Sequence, residues 1–280
     1  MLSFLRRTDP HKAFADALAG KELPAFPALL WDVLERLRDP HSSLDGTAER
    51  ISMDPGLSVK LLRTVNSAAY GLRSCVHSVS HAVALLGRRH VESIVLALAV
   101  QKALPEGPHQ SFDATDYWRG ASARATVARH VAQLVCPRQA GFNFTAALLQ
   151  DMAVPLLAHH GPKNYTELLT AAREDGEDLL SLERAEFGWN HALVGAWMGG
   201  RWEFPDDLVL AITDHHEAPC PTSTDYAPAR IVAGLEEVEG DLDWLVSTMQ
   251  DSFEVAPDVV RHAIQTARTE ADDLARIILG

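Results

Sequence analysis

Apolar residues recur along this chain at spacings of three and four, a period that belongs to helices and not to strands. Phe26, Leu29, Leu30, Val33, Leu34 and Leu37 fall on one face of a helix that Asp39-Pro40 ends. Ser43 precedes a short helix through Ile51. Asp54 is placed to cap the next one, with Pro55 in its first turn, where a missing N–H costs nothing. Leu57, Leu61, Val65 and Ala69 form its apolar stripe, and Tyr70-Gly71 closes it. Residues 80 to 86 make a helix stopped at Gly87, and a long apolar one follows through Ala103. Further helices are expected over 117 to 135, 144 to 159, 165 to 174, 179 to 187, 191 to 201 and 206 to 215, then over 227 to 238, 241 to 249 and 257 to 279. On the last of these, Arg261, Arg268, Glu270, Asp272 and Asp273 are expected to face largely outward. Strand signals are almost absent and aromatics are only 7% of the chain, so the fold class is all-α.

At 280 residues there is ample material for a core. The breaker-rich stretch Leu104-Pro105-Glu106-Gly107-Pro108-His109 divides the helices into two lobes. A formal charge of −13 argues against a surface that coats nucleic acid or anionic lipid, since phosphate binding depends on Lys and Arg. The densest basic cluster, Arg88-Arg89-His90, is read as a solvated face. Cys75, Cys136 and Cys220 show no Cys-x-x-Cys spacing and no disulfide framework. The N-terminus puts its charges after a very short apolar stretch, the wrong order for a secretory signal. The longest apolar run, residues 94 to 100, falls short of the roughly 20 residues that span a bilayer. A cytoplasmic protein with neither nucleic acid nor membrane as partner is expected.

The most informative segment chemically is Gln150-Asp151, entered from the apolar run Phe144-Thr145-Ala146-Ala147-Leu148-Leu149. It resembles the His-Asp motif of metal-dependent phosphohydrolases with the imidazole replaced by a carboxamide, which offers a metal only a weak oxygen donor. Two longer blocks carry a more specific resemblance. The first runs Asp54-Pro55-Gly56-Leu57, Leu61-Leu62-Arg63, Asn66-Ser67-Ala68-Ala69-Tyr70-Gly71, Ser78 and Ala82-Val83-Ala84-Leu85-Leu86-Gly87. The second is His191, Gly195, Trp202, Pro205 and His215-His216. In that order they resemble the HDOD family, HD-related output domains of bacterial signalling proteins. The resemblance implies an HDOD, HD-like helical bundle in two lobes over residues 22 to 217, with the first lobe to about 104 and a degenerate HD-like lobe over 113 to 217. Residues 1 to 21 would be an N-terminal helical extension, and 218 to 280 would pack on the domain as C-terminal helices.

The same resemblance implies that the enzyme chemistry is lost. Gly120 stands where the first histidine of an HD metal centre belongs, Gln150 replaces the second, and Gly234 falls near the late aspartate, leaving Asp151 alone of the four. His130 lies ten residues after Gly120, about 80° off its face, and reads as a surface or packing residue. His159-His160 and His215-His216 are adjacent pairs whose members point in different directions on a helix. His191, near a helix start with Gly195 one turn on, reads as a buried polar residue at a close crossing. Asp151, His191, His215 and His216 are therefore expected to line a vestigial pocket without metal or other cofactor. Asn66, Ser67, Tyr70 and Gly71 are expected to be structural, bonding backbone groups at a helix end.

The function these readings imply is a non-catalytic regulatory or scaffolding output protein, monomeric or homodimeric, that works through a protein partner. The rivals are a metal-dependent phosphohydrolase acting on a nucleotide or cyclic dinucleotide, and a small-molecule sensor with His191, His215 and Asp151 as polar anchors.

Overall fold

The computed structural model describes residues 17–18, 20–67, 74–105, 112–217, 227–233, 235 and 242–279. Among them the chain is a bundle of α-helices with no β-strand. Helix α1 (Ala28–Arg38) buries Leu30, Val33, Leu34 and Leu37, the stripe its periodicity predicts. Helix α2 (Leu44–Ser52) starts at Ser43, whose hydroxyl accepts from Gly46 N. Helix α3 (Pro55–Val65) starts at Asp54, whose carboxylate accepts from Leu57 N, with Pro55 in the first turn. These three pack against α4 (Val79–Ala103), the buried spine of the N-terminal lobe. At Gly87 the backbone of α4 takes φ 71°, a conformation that glycine alone adopts without strain, and the two helical segments expected on either side of it meet there as one kinked element.

Arg88, expected on a solvated face, does otherwise. Its guanidinium donates to the carbonyls of Arg36 and Asp39 at 3.0 Å each, and to Ser42, so it collects acceptors at the C-terminal end of α1 that have no helical partner. Arg89 and His90 remain exposed.

The second lobe is organised around α5 (Ala114–Val135), which Asp113 caps through Thr115 N. Against it lie α6 (Ala140–Leu149), α12 (Ala227–Ile231) and the long C-terminal α14 (Pro257–Leu279), the last forming the most extensive helix pair in the molecule. Around these are α7 (Ala153–His160), α8 (Tyr165–Asp175), α9 (Leu179–Phe187), α10 (His191–Arg201), α11 (Asp206–Thr213) and α13 (Asp243–Phe253). Four helix expectations are corrected. α3 stops at Val65 with Asn66 as its cap and not at Tyr70-Gly71, and α12 covers only Ala227–Ile231 of the expected 227 to 238. Residues 144 to 159 do not form one helix, because Gln150, Asp151 and Met152 make a turn between α6 and α7. Residues 206 to 215 stop at Thr213, so His215 and His216 lie in a turn. A further correction concerns Glu270, which is not outward: it is 4% exposed and meets Arg129 and His130 of α5. His130 is the packing histidine its position suggested.

Of the Asn66-to-Gly71 block, Tyr70 and Gly71 lie outside the described residues, as do most of the stretch 104 to 109, Cys220 and Gly234. Asn66 ends α3, and its carboxamide reaches Val76: Oδ1 accepts from Val76 N at 2.7 Å and Nδ2 donates to Val76 O at 2.8 Å. Ser67 donates to Thr64 O at 2.7 Å. Both polar ends of Asn66 are used, so Asn66→Ala is expected to lower stability by about 1–2 kcal/mol. A chemical denaturation curve that does not move would show that the bridge to Val76 carries no net stability.

Candidate functional site

Three segments converge at Asp151. The turn between α6 and α7 presents its carboxylate, the first residue of α10 presents His191, and the turn after α11 presents His215 and His216. Asn190 caps α10 by accepting from Leu193 N, which fixes how His191 enters the helix. Gly195, one turn later, permits the crossing: a Cβ there would sit 3.1 Å from Ile212 Cγ2 of α11 and 3.9 Å from Ala153 Cβ of α7. A larger residue would push apart the elements that carry the cluster.

The contacts are short and directional. His191 Nε2 lies 3.4 Å from Asp151 Oδ1, and His215 Nε2 lies 3.2 Å from the same oxygen. His191 Nε2 is 3.4 Å from His215 Nε2 and 2.8 Å from His216 Nε2. One ligand-type atom from each of the four residues falls within 4.8 Å of every other. His191 and His215 are buried, Asp151 is partly buried, and His216 is exposed.

A second ring of groups sets the imidazole orientations. His191 Nδ1 and its backbone N–H both donate to Glu183 Oε2 at 2.8 Å, and the other oxygen of Glu183 accepts from Tyr165 Oη at 2.6 Å. Glu183 is fully buried in α9. His215 Nδ1 donates to the Ile212 carbonyl at 2.7 Å. On the opposite side of Asp151, Arg124 Nη2 sits 2.8 Å from Oδ2, while its Nη1 donates to Leu235 O. The carboxamide of Gln150 donates weakly to Asp151 Oδ2 at 3.3 Å and to Ala233 O at 3.4 Å.

These contacts decide the charge states. Burial alone would raise the Asp151 carboxyl, but the Arg124 guanidinium, with hydrogen bonds from His191 and His215, holds it well below the usual carboxylate range. Burial alone would depress His191, and the adjacent Glu183 and Asp151 carboxylates instead raise it to about 10. His216 goes the other way: burial and then the neighbouring imidazoles His215 and His191 push it down to about 3. Without a bound cation, a proton on His191 serves as the positive charge at the centre, and His216 accepts.

The structure thus brings Asp151, His191, His215 and His216 together, while His159 and His160 take no part in the cluster. The expectation that adjacent histidines diverge fails for His215-His216. The 100° step applies within a helix, and α11 has already ended at Thr213. Arg124, Glu183 and Tyr165 were not anticipated. Arg124 had a findable signal, being one turn beyond Gly120 on the same face of α5. Glu183 had none, since nothing local marks a glutamate on a different helix as the partner of His191.

A helical bundle with a turn bearing Asp151, met by histidines from two further segments, is an HD-like arrangement. The HDOD domain pattern matches residues 23–218, and the chain belongs to the HDOD family. Its fold is similar to that of a candidate phosphohydrolase from Shewanella amazonensis, at 21% identity and TM-score 0.75 over 95% of this chain and 98% of the other. It is similar also to an HDOD domain protein of unknown function from Geobacter sulfurreducens, at 18% identity and TM-score 0.72 over 95% and 96% of the two chains. A protein of uncharacterised function from Treponema pallidum is 24% identical over 201 residues, which are 71% of this chain and only 38% of that relative. No helix among the described residues is long and apolar enough to cross a membrane.

Proposed function

We propose that this chain is a non-catalytic signalling output protein that acts through protein contacts. The observation that carries this reading is the Arg124 guanidinium on Asp151 Oδ2. In an HD-type metal centre the aspartate of the motif shares its charge with metal, and the histidines before it complete the coordination. Here the side of Asp151 that faces α5 holds a permanent cation supplied by the protein, with Gly120 and the carboxamide of Gln150 at the two histidine positions. An arginine neutralises the carboxylate as a metal would, yet it cannot lower the pKa of a bound water or offer an open coordination position. Arg124 thereby neutralises the Oδ2 side of Asp151 without supplying the means of hydrolysis.

The phosphohydrolase alternative draws on the histidine cluster. With three imidazoles and a carboxylate whose donor atoms lie within 4.8 Å of one another, that cluster can supply four protein donors, whereas catalytic zinc sites keep one position open for water. Purified protein supplied with manganese, magnesium or zinc is expected to hydrolyse neither bis-p-nitrophenyl phosphate nor cyclic di-GMP above the rate of the metal salt alone. Turnover that disappears in Asp151→Ala would overturn the non-catalytic reading.

A further inference from the structure

The arrangement of nitrogen lone pairs in the histidine cluster asks for a cation. The Ile212 carbonyl can only accept, so Nδ1 of His215 carries the ring proton when the imidazole is neutral and the Nε2 lone pair faces inward. The Glu183 carboxylate likewise holds the Nδ1 proton of His191, so the proton that a metal would displace is the one on Nε2. Without metal, the proton on His191 sits between it and His216 Nε2, 2.8 Å away; when that proton leaves, two lone pairs 3.4 Å apart and a carboxylate oxygen 3.2–3.4 Å from both converge on one point, where a metal cation can take the proton's place. Donors held about 2.0–2.1 Å from a tetrahedral zinc ion are separated from each other by about 3.3–3.4 Å. Of the six separations among four donors, the three among Asp151, His191 and His215 (3.4, 3.4 and 3.2 Å) match that spacing; His216 lies 2.8 Å from His191 and within 4.8 Å of the other two, so this exposed residue is the ligand that must adjust.

We infer that Asp151, His191, His215 and His216 form a binding site for a single transition-metal ion of the zinc class. Asp151 Oδ1 and the three Nε2 atoms are the ligands. Glu183, anchored by Tyr165, is a positioning residue that orients His191 and raises its basicity, as carboxylates behind metal-bound histidines do. Arg124 occupies Oδ2 and so directs Oδ1 to the metal. The inferred site runs against the expectation of a metal-free relic; it shares Asp151 with the centre implied by the HD motif and uses neither of that centre's histidine positions, Gly120 and Gln150. Four protein ligands make a closed site, so the ion clamps the turn before α7, the start of α10 and the turn after α11 to one another. Metal availability then governs how firmly these three segments are held.

The test uses the full chain, freed of any histidine tag and stripped with a chelator, titrated with zinc against a chromophoric competitor and checked by elemental analysis. One equivalent of zinc per chain and a raised melting temperature are expected. His216→Ala, at an exposed position where folding is not at risk, should weaken binding on the order of tenfold or more, because affinity follows the number of donors. Glu183→Gln should weaken it by about 10- to 100-fold while leaving all four ligands in place. His41→Ala, remote from the cluster and exposed, should bind as the parent does. Less than about a tenth of an equivalent bound by the parent chain would overturn the inference. So would stoichiometric zinc whose affinity is the same in His216→Ala and Glu183→Gln, since the ion would then sit elsewhere. Stoichiometric zinc without phosphodiester hydrolysis leaves the signalling reading standing, and turnover by the zinc-loaded chain would remove that reading while keeping the metal site.

Discussion

Arg124→Met, measured in the presence of chelator, is expected to destabilise the protein by about 3 kcal/mol, the lower end of the range for breaking a buried ion pair. Methionine keeps most of the apolar stem, so the loss isolates the guanidinium and not its packing. The Arg124 side chain is 9% exposed and that of Asp151 16%, so water cannot replace the lost counter-charge at the strength it would have on a surface. The hydrogen bond to Leu235 O goes with it, and that bond is a direct tie between α5 and the segment following α12. Thermal and urea unfolding check the result, with a melting temperature lower by roughly 6–12 °C for a chain of this size. A loss under about 1 kcal/mol, the scale of an exposed pair, would show that Asp151 is held by its histidines and not by Arg124.

Glu270→Ala is expected to have a comparable effect at a different place, about 3 kcal/mol. Glu270 Oε2 pairs with Arg129 and lies 2.7 Å from His130 Nε2, with the Glu270 side chain only 5% exposed. Its removal withdraws the counter-charge from Arg129 and the hydrogen-bond partner of His130 within the α5–α14 interface. Because this interface is the largest helix contact in the bundle, amide exchange over α14 should accelerate well before exchange over α4, which packs in the other lobe. Uniform acceleration across both lobes would show that the two open together and that the pair has no local role.

The difference between these two sites shows where sequence reading succeeds. Stripes such as Leu30, Val33, Leu34 and Leu37, and caps such as Ser43 and Asp54, are local: the residues that decide them lie within one or two turns. Helices α9, α10 and α14 accordingly have the bounds their periodicity and caps predict. Glu270 shows the limit. A carboxylate in an amphipathic helix is outward by default, and only the presence of Arg129 on a helix 141 residues earlier makes its burial favourable. Arg88 fails the same default for the same reason, its acceptors being carbonyls about 50 residues upstream.

The sequence by itself determined the helical class, the HDOD family and the identity of the residues that gather in the pocket, because apolar period, helix caps and motif order are properties of short stretches. It also determined that Gly120 and Gln150 cannot supply imidazoles. Only the tertiary structure decided what the remaining residues do together. α6 breaks at Gln150 and α11 ends at Thr213, and those two turns release Asp151, His215 and His216 from helical geometry so that they converge with His191. Glu183 and Arg124 then settle which nitrogen and which carboxylate oxygen face the centre. Such choices depend on distances between segments far apart in the chain, and hydrogen-bond direction and charge compensation have no periodicity from which they could be read.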